Sequence, residues 1–409
     1  MVSAGTGMQP LRGLVVLDLS KVWIGPTVSH LLSDFGARVI EIRSRAVDIA
    51  EEDRFGNFVP LAYDGSIREY TDISRNRESV TLNLTKPEGI EIFKRLVPHV
   101  DMVVENFSAR VMGKFGLSYE TLSAINPRLI MLSMTAAGQT GPWRTALTYA
   151  PSLTALYGGK SLIGYPDNQR VLEDASEMDP MNAIYGVIAL CMAVRHRHRT
   201  GEGGYIDLAQ GEAILQGIAD ATLDYTMNGH NTTVTGNHHH LLAPHSTYPT
   251  TGGTWVSIAV ATGEEWRALC AAIGKPAWAT DPGFADVAGR HEHEVEIDAA
   301  IAAFTSNQDA QAVTEALQAA GVAAYPVHDG YGLMADPHLA ARRSDLLLEV
   351  EGIDREQIWY GIPWQLRGTP GSIKSATPPY GAQNEKILGE WLGLSTADVQ
   401  RLREEQVVY

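Results

Sequence analysis

Cysteine is scarce in this chain of 409 residues, which has only Cys191 and Cys270, and so few thiols exclude a disulfide-stapled scaffold. Both lie in apolar helical patterns, Cys191 between Leu190 and Met192 and Cys270 after Trp266 and Leu269. Buried reduced thiols are therefore expected, and no metal centre. Apolar runs are also short. None reaches the roughly 18 residues of a membrane span, and the opening M-V-S-A-G-T-G-M-Q-P lacks the basic residues and apolar core of a signal peptide. A cytoplasmic protein with no membrane partner is the expectation. Positive charge is in deficit too: 32 Lys and Arg against 48 Asp and Glu leave a formal net charge of −16, a field that repels nucleic acid. The first strand pattern is followed by L-D-L-S-K-V-W-I-G-P and not by G-x-G-x-x-G, so the ordinary dinucleotide fingerprint is missing. No internal repeat or low-complexity tract occurs.

What is present has the rhythm of an α/β protein. A chain of this length exceeds one comfortable core, which predicts two domains. Residues 14–17 and 38–42 read as short strands flanking a helix, the βαβ pattern of an open parallel sheet. Pro87 opens a helix running to Leu96, and residues 100–104 and 129–134 read as further strands. From Gly211 to about Asn228 the pattern predicts one long helix. A strand over 254–260, an amphipathic helix closing on Gly274, helices over 297–304 and 310–320 and a strand over 323–327 then suggest a smaller α+β domain. The predicted boundaries are 1–225 for the large domain, 226–335 for the small one and 336–409 for a return to the large domain.

The segment from Asp179 to Gly204 joins one carboxylate to an apolar helix, a basic stretch and a Gly-rich turn. Residues 186–194 are almost unbroken apolar, enough for a buried helix. Asp179 before Pro180 fits a helix start, where the Asp would cap exposed N–H groups. On local pattern alone Asp179 reads equally as a cap and as a reactive carboxylate.

The run R-H-R-T-G-E-G-G-Y-I-D-L-A-Q-G-E (Arg197 to Glu212) resembles the R-x-R-T-G-x-G-Q-x-I-D-x-x-x-x-E signature of family III CoA-transferases, relatives of formyl-CoA transferase, carnitine CoA-transferase and α-methylacyl-CoA racemase. Further blocks match in order: L-R-G-L-V-V-L-D-L-S-K-V-W-I-G-P, L-S-D-F-G-A-R-V-I-E-I-R, R-N-R-E-S-V-T-L-N-L, V-V-E-N-F, G-L-S-Y-E-T-L, I-N-P-R-L-I and G-Q-T-G-P. Each block is weak alone, whereas their order and spacing are specific.

The resemblance implies a large Rossmann-like open-sheet domain plus a smaller α+β domain, in two chains threaded as an interlocked homodimer or a heterodimer with a homologous subunit. It places the nucleophile 21 positions before Thr200, at Asp179. That carboxylate would attack an acyl-CoA thioester, pass through an aspartyl anhydride and hold CoA as an aspartyl thioester before handing it to an incoming acid. An Asp is ionised at neutral pH without help. Coenzyme A and acyl-CoA enter as substrates, with no permanently bound cofactor. Their phosphates need local cations, for which Arg43, Arg45, Arg75, Arg77 and Lys114 are the candidates, with Asn106 and Phe107 of V-V-E-N-F beside them. The plain alternative for each cation is a solvated surface charge.

A lid over the reactive intermediate is implied at Gly236 to Pro249. There Asn237 keeps the family pattern while His238, His239 and His240 replace a glycine run, as a metal site, a lining for a substrate carboxylate or a solvated loop. Trp23 stands where many transferases carry Gln, either as an aromatic wall or as a core residue. Tyr149 falls where the racemases carry a proton-moving His, and an unassisted Tyr is a poor shuttle at neutral pH, so transfer is favoured over racemisation. The donor could be succinyl-CoA, and the acceptor an aromatic, dicarboxylic or bile-type acid. Two other readings stay open: an isomerase of α-branched acyl-CoA, and a non-catalytic CoA-binding subunit of a heteromeric transferase of the type acting on benzylsuccinate.

Overall fold

The structure is a computed structural model that describes residues 9–44, 71–167, 178–342, 345–348 and 357–409. Its described residues divide into two compact units, one from within Met1–Gly159, Glu173–Leu223 and Leu339–Tyr409, the other from within Lys160–Leu172 and Asp224–His338.

The larger unit is organised by six strands: β1 (Val15–Asp18), β2 (Arg38–Arg43), β3 (Arg77–Thr81), β4 (Met102–Glu105), β5 (Ile130–Thr135) and β6 (Gly204–Ala209). They pair in the order β3-β2-β1-β4-β5-β6, every pair parallel. The expected open parallel sheet is thus present. Helices cover both faces, so the central strands read as Val/Ile/Leu runs. Helix α1 (Ile24–Asp34) packs on the face that carries Val16, Met102, Val104, Ile130 and Leu132. On the opposite face α2 (Pro87–Leu96) buries Ile92, Phe93 and Leu96 against Leu17, Ile40, Val103 and Met131. Pro87 at its first position, Glu88 in its first turn and Lys94 and Arg95 in its last complement the helix dipole. The short helices α3 (Val111–Lys114) and α4 (Tyr119–Ile125) follow β4, and α5 (Ala150–Leu156) and α6 (Met178–Thr200) lie between β5 and β6.

The strand order reverses direction between β1 and β4. In open α/β sheets such a switch point leaves a crevice outside the carboxyl ends of the two strands, where ligands bind. Edge strand β3 is closed by side-chain amides: Ser79 N–H donates to Gln383 Oε1 at 2.6 Å and Thr81 N–H to Asn384 Oδ1 at 2.8 Å, which blunts an otherwise open row of backbone groups.

The single long helix predicted from Gly211 is instead two, α7 (Gln210–Gly217) and α8 (Ala219–Asn228), with Ile218 out of helical conformation. Gly217, a poor helix former, sits at the break.

In the smaller unit β7 (His245–Pro249), β8 (Trp255–Ala259) and β9 (Ala323–Pro326) form an antiparallel sheet in that order. Its core joins Val256 and Ile258 to Trp266, Leu269 and Cys270 on α9 (Gly263–Ala272), with α10 (Val287–Glu292), α11 (Glu294–Thr305) and α12 (Ala310–Ala319) around it. Cys270 is buried as expected. Cys191 is exposed, which corrects its expected burial: α6 is not apolar on its inner side alone, and Ile184, Ile188 and Met192 also face outward. Among the described residues no helix is long and apolar enough to cross a membrane.

Candidate functional site

Helix α6 places the main candidate. It runs straight into β6 through Gly201–Gly203. Because β5 and β6 are parallel, α6 must run back against them, with its amino end at the carboxyl edge of the sheet. It lies close on its neighbours: a Cβ at Gly186 would come within 3.1 Å of Val28 Cγ2 and 3.3 Å of Leu132 Cδ2. Asp179 stands in the first turn and is partly buried. Among the described residues its carboxylate has no hydrogen-bond or ion-pair partner, so it is not the cap that local pattern allows. Burial pushes its carboxyl up to about 6, against the ordinary value the sequence suggests, because water is withdrawn from the charge.

The signature downstream acts as scaffold. Arg197 is buried, with Nη2 2.9 Å from Asp101 Oδ1, which ties the carboxyl end of α6 to the start of β4. At Gly203 a Cβ would fall 2.1 Å from the Leu129 carbonyl oxygen, so no side chain fits where the chain turns into β6. Asp207 accepts the Gln139 N–H at 3.0 Å and Gln210 Nε2 donates to the Met134 carbonyl at 3.0 Å. Asp207 thus holds the G-Q-T-G-P loop after β5 and Gln210 grips the end of β5 itself; the signature marked the position of Asp207 but not its task.

At the switch point, the loop from β1 to α1 is fixed from below and from the side. Arg77 lies 3.1 Å from Asp18 Oδ2 and also donates to the carbonyls of Ile73, at 2.6 Å, and Pro26. Burial raises the Asp18 carboxyl, with Arg77 opposing. The Asn106 side chain clips the loop from β4: Oδ1 accepts Lys21 N–H and Nδ2 donates to the Lys21 carbonyl, both at 2.8 Å. Within the clipped loop Val22 has φ 64°, a costly left-handed conformation for a β-branched residue. Partly buried Trp23 follows at the start of α1.

The cation candidates divide. Arg75 pairs with Asp34 at 2.6 Å and donates to the Tyr360 carbonyl. Arg43 is buried 3.8 Å from Glu41 and sits 4.9 Å from the Tyr380 ring centre. Arg43, Arg75 and Arg77 are therefore internal struts and not the solvated charges of the plain alternative. Their carboxylate neighbours already occupy much of their charge. Lys114 is exposed at the end of α3, and Arg45 lies outside the described residues. Phe107 rests partly buried on the core beside the Asn106 clip.

Tyr149 is exposed just ahead of α5, its N–H bonded to Ser152 Oγ at 2.9 Å. In the smaller unit Asn237 bonds Thr247 Oγ1 at 3.0 Å, and its carbonyl lies 2.6 Å from His245 Nδ1. His238 is bridged by two carboxylates one helical turn apart on α11, Nδ1 to Glu294 and Nε2 to Asp298, both at 3.0 Å. It is not a plain solvated loop residue. The His239 and His240 rings stack at 4.7 Å. No group of three or more His, Cys, Asp or Glu among the described residues could hold a metal ion.

Comparison with known proteins agrees with this architecture. A family model described as CoA-transferase family III matches residues 11–384. The "Succinyl-CoA--D-citramalate CoA-transferase" of Chloroflexus aurantiacus is 32% identical over 400 residues, 98% of each chain. The "Succinyl-CoA--L-malate CoA-transferase beta subunit" of the same organism is 34% identical over 401 residues, again 98% of each. A crystal structure of a CAIB/BAIF family protein from Brucella suis superposes with a TM-score of 0.82 at 28% identity, covering 94% of this chain and 99% of the other. An open parallel sheet, a carboxylate at the head of α6 and matches spanning nearly the whole chain lead to one conclusion: this enzyme belongs to CoA-transferase family III.

Proposed function

We propose that the chain moves CoA from succinyl-CoA to a dicarboxylic acid, with Asp179 as the nucleophile. The observation that carries this reading is the Asp179 carboxylate: half-hidden at the carboxyl edge of the sheet, without a partner among the described residues, and made more basic by burial. Desolvation makes it a stronger nucleophile, yet about nine in ten copies stay ionised at pH 7 with a value near 6. It attacks the thioester carbonyl; the C–S bond breaks, CoA leaves as thiolate, and an aspartyl-acyl anhydride forms. The thiolate then attacks the aspartyl carbonyl, releasing the first acid and leaving an aspartyl-CoA thioester. The second acid runs these steps in reverse. One thioester replaces another, so no nucleotide is consumed.

The acid class follows the relatives, whose names pair succinyl-CoA with citramalate and malate. The CoA nucleotide is assigned to the switch-point crevice between the Lys21–Trp23 loop and the Asn106–Phe107 turn, with Lys114 as the accessible cation. A second copy or a homologous subunit completes the assembly, in keeping with the outward apolar row Ile184, Ile188 and Met192 on α6.

The test is incubation with succinyl-CoA and a panel of citramalate, malate, glutarate and aromatic acids, read by mass spectrometry of the thioesters. A new dicarboxyl-CoA appearing one for one with succinate supports the reading. Simple hydrolysis of succinyl-CoA, or transfer to aromatic acids alone, contradicts it.

A further inference from the structure

Glu105 ends β4 directly beneath the Asn106–Phe107 turn and is 1% exposed. Its Oε2 accepts the Phe107 N–H at 2.8 Å, while the next side chain, Asn106, makes both bonds to Lys21 at the switch point. The two contacts act on one turn: Glu105 fixes the backbone from within the sheet, and Asn106 transmits that position to the β1 loop. Strand pairing sets Ser133 opposite Glu105 and Asp207 opposite Ser133, and Tyr205 of β6 also senses the charges of Glu105, Asp207 and Glu120. Among the described residues no cation stands among these neighbours.

We propose that Glu105 is a positioning residue for coenzyme A: it holds the Asn106–Phe107 turn through one carboxyl oxygen and, while uncharged, spares a polyanionic ligand a negative charge buried beneath its binding loop. The inference rests on the CoA-transferase reading of the same crevice. Burial pushes the Glu105 carboxyl up to about 7; the Phe107 N–H acts against burial, and Asp207 adds to it. A neutral carboxyl oxygen still accepts a hydrogen bond, so the turn is held in both states. What changes on ionisation is the field at the crevice, little screened because the charge is buried.

The separation of hydrogen bond from charge makes the idea testable with Glu105→Gln, which keeps an accepting oxygen and cannot ionise, and Glu105→Ala, which keeps neither. Calorimetric titration of the full chain with coenzyme A from pH 5.5 to 8.5 is the measurement, each variant compared with wild type at every pH so that the ionisation of CoA itself cancels. Wild type should match Glu105→Gln at pH 5.5 and bind about five- to tenfold more weakly than it at pH 8.5, the ratio turning near 7. Glu105→Ala should bind about tenfold more weakly at all pH values, with KM for acyl-CoA raised far more than kcat is lowered. A constant ratio between wild type and Glu105→Gln, or wild-type affinity in Glu105→Ala, overturns the proposal. Failure of every protein, wild type included, to bind coenzyme A overturns the functional reading along with it, whereas a wild type that binds and transfers CoA with a constant ratio overturns this inference alone.

Discussion

At the carboxyl end of α6, Arg197 is matched by Asp101, Gly203 admits no side chain, and the following strand fastens the loop after β5 through Asp207. At the amino end Asp179 sits partly buried with no described partner, its carboxyl lifted to about 6. The two ends are 21 residues apart, about 31 Å along a straight helix. One end is held by these contacts; the other leaves its carboxylate without a partner among the described residues. On the proposed mechanism the contrast teaches why a signature far from the chemistry identifies the chemistry: the fixed end aims the helix, and the free end supplies the nucleophile. It also predicts that the two ends respond to mutation in opposite ways.

The largest effect belongs to Asp179→Asn, which should lower turnover by at least about a thousandfold in a thioester-exchange assay while calorimetry shows CoA affinity nearly unchanged. Next is Arg197→Ala at the fixed end. Losing one partner of a largely buried ion pair should destabilise the fold by about 2–3 kcal/mol in urea titration, at the low side for such pairs because Asp101 is partly exposed; the surviving folded fraction should keep its kcat. The same urea measurement on Asp179→Asn should show a gain of about 2 kcal/mol above pH 6. A carboxyl raised in the folded state withholds stability as pH climbs from its ordinary value near 4 to its folded value near 6, so the gain should shrink to nothing near pH 4. The smallest effect is in wild type: kcat/KM should be level above about pH 6 and fall up to tenfold per unit below it, as the nucleophile takes up a proton. Destabilisation by Asp179→Asn, or lost kcat in folded Arg197→Ala, would erase the distinction between the ends.

How much of this was legible in the sequence depended on distance along the chain. Alternating strand and helix patterns gave the parallel sheet, since Val15–Asp18 and Arg38–Arg43 carry their apolar character locally. Asp179 was reachable because one uninterrupted helix ties it to the signature. Arg75 and Arg77 were not legible as struts: their partners Asp34 and Asp18 lie 41 and 59 positions away, and only the fold brings them together. His238 likewise finds Asp298 from 60 positions off. The Asn106 clip depends on Lys21 backbone atoms, which carry no side-chain signal at all. Cys191 was misplaced because an apolar run does not reveal which of its faces is covered, and the break at Ile218 was hidden in a sequence that otherwise reads as helix.

The most direct test of the central claim is chemical trapping of the loaded enzyme. Full-length protein is mixed with succinyl-CoA, quenched with borohydride or hydroxylamine, digested and sequenced by mass spectrometry. The account predicts reduction of the Asp179 side chain to the alcohol, or its conversion to a hydroxamate, with Asp179→Asn unlabelled. Label on another residue, or none while CoA is still being transferred, would contradict it.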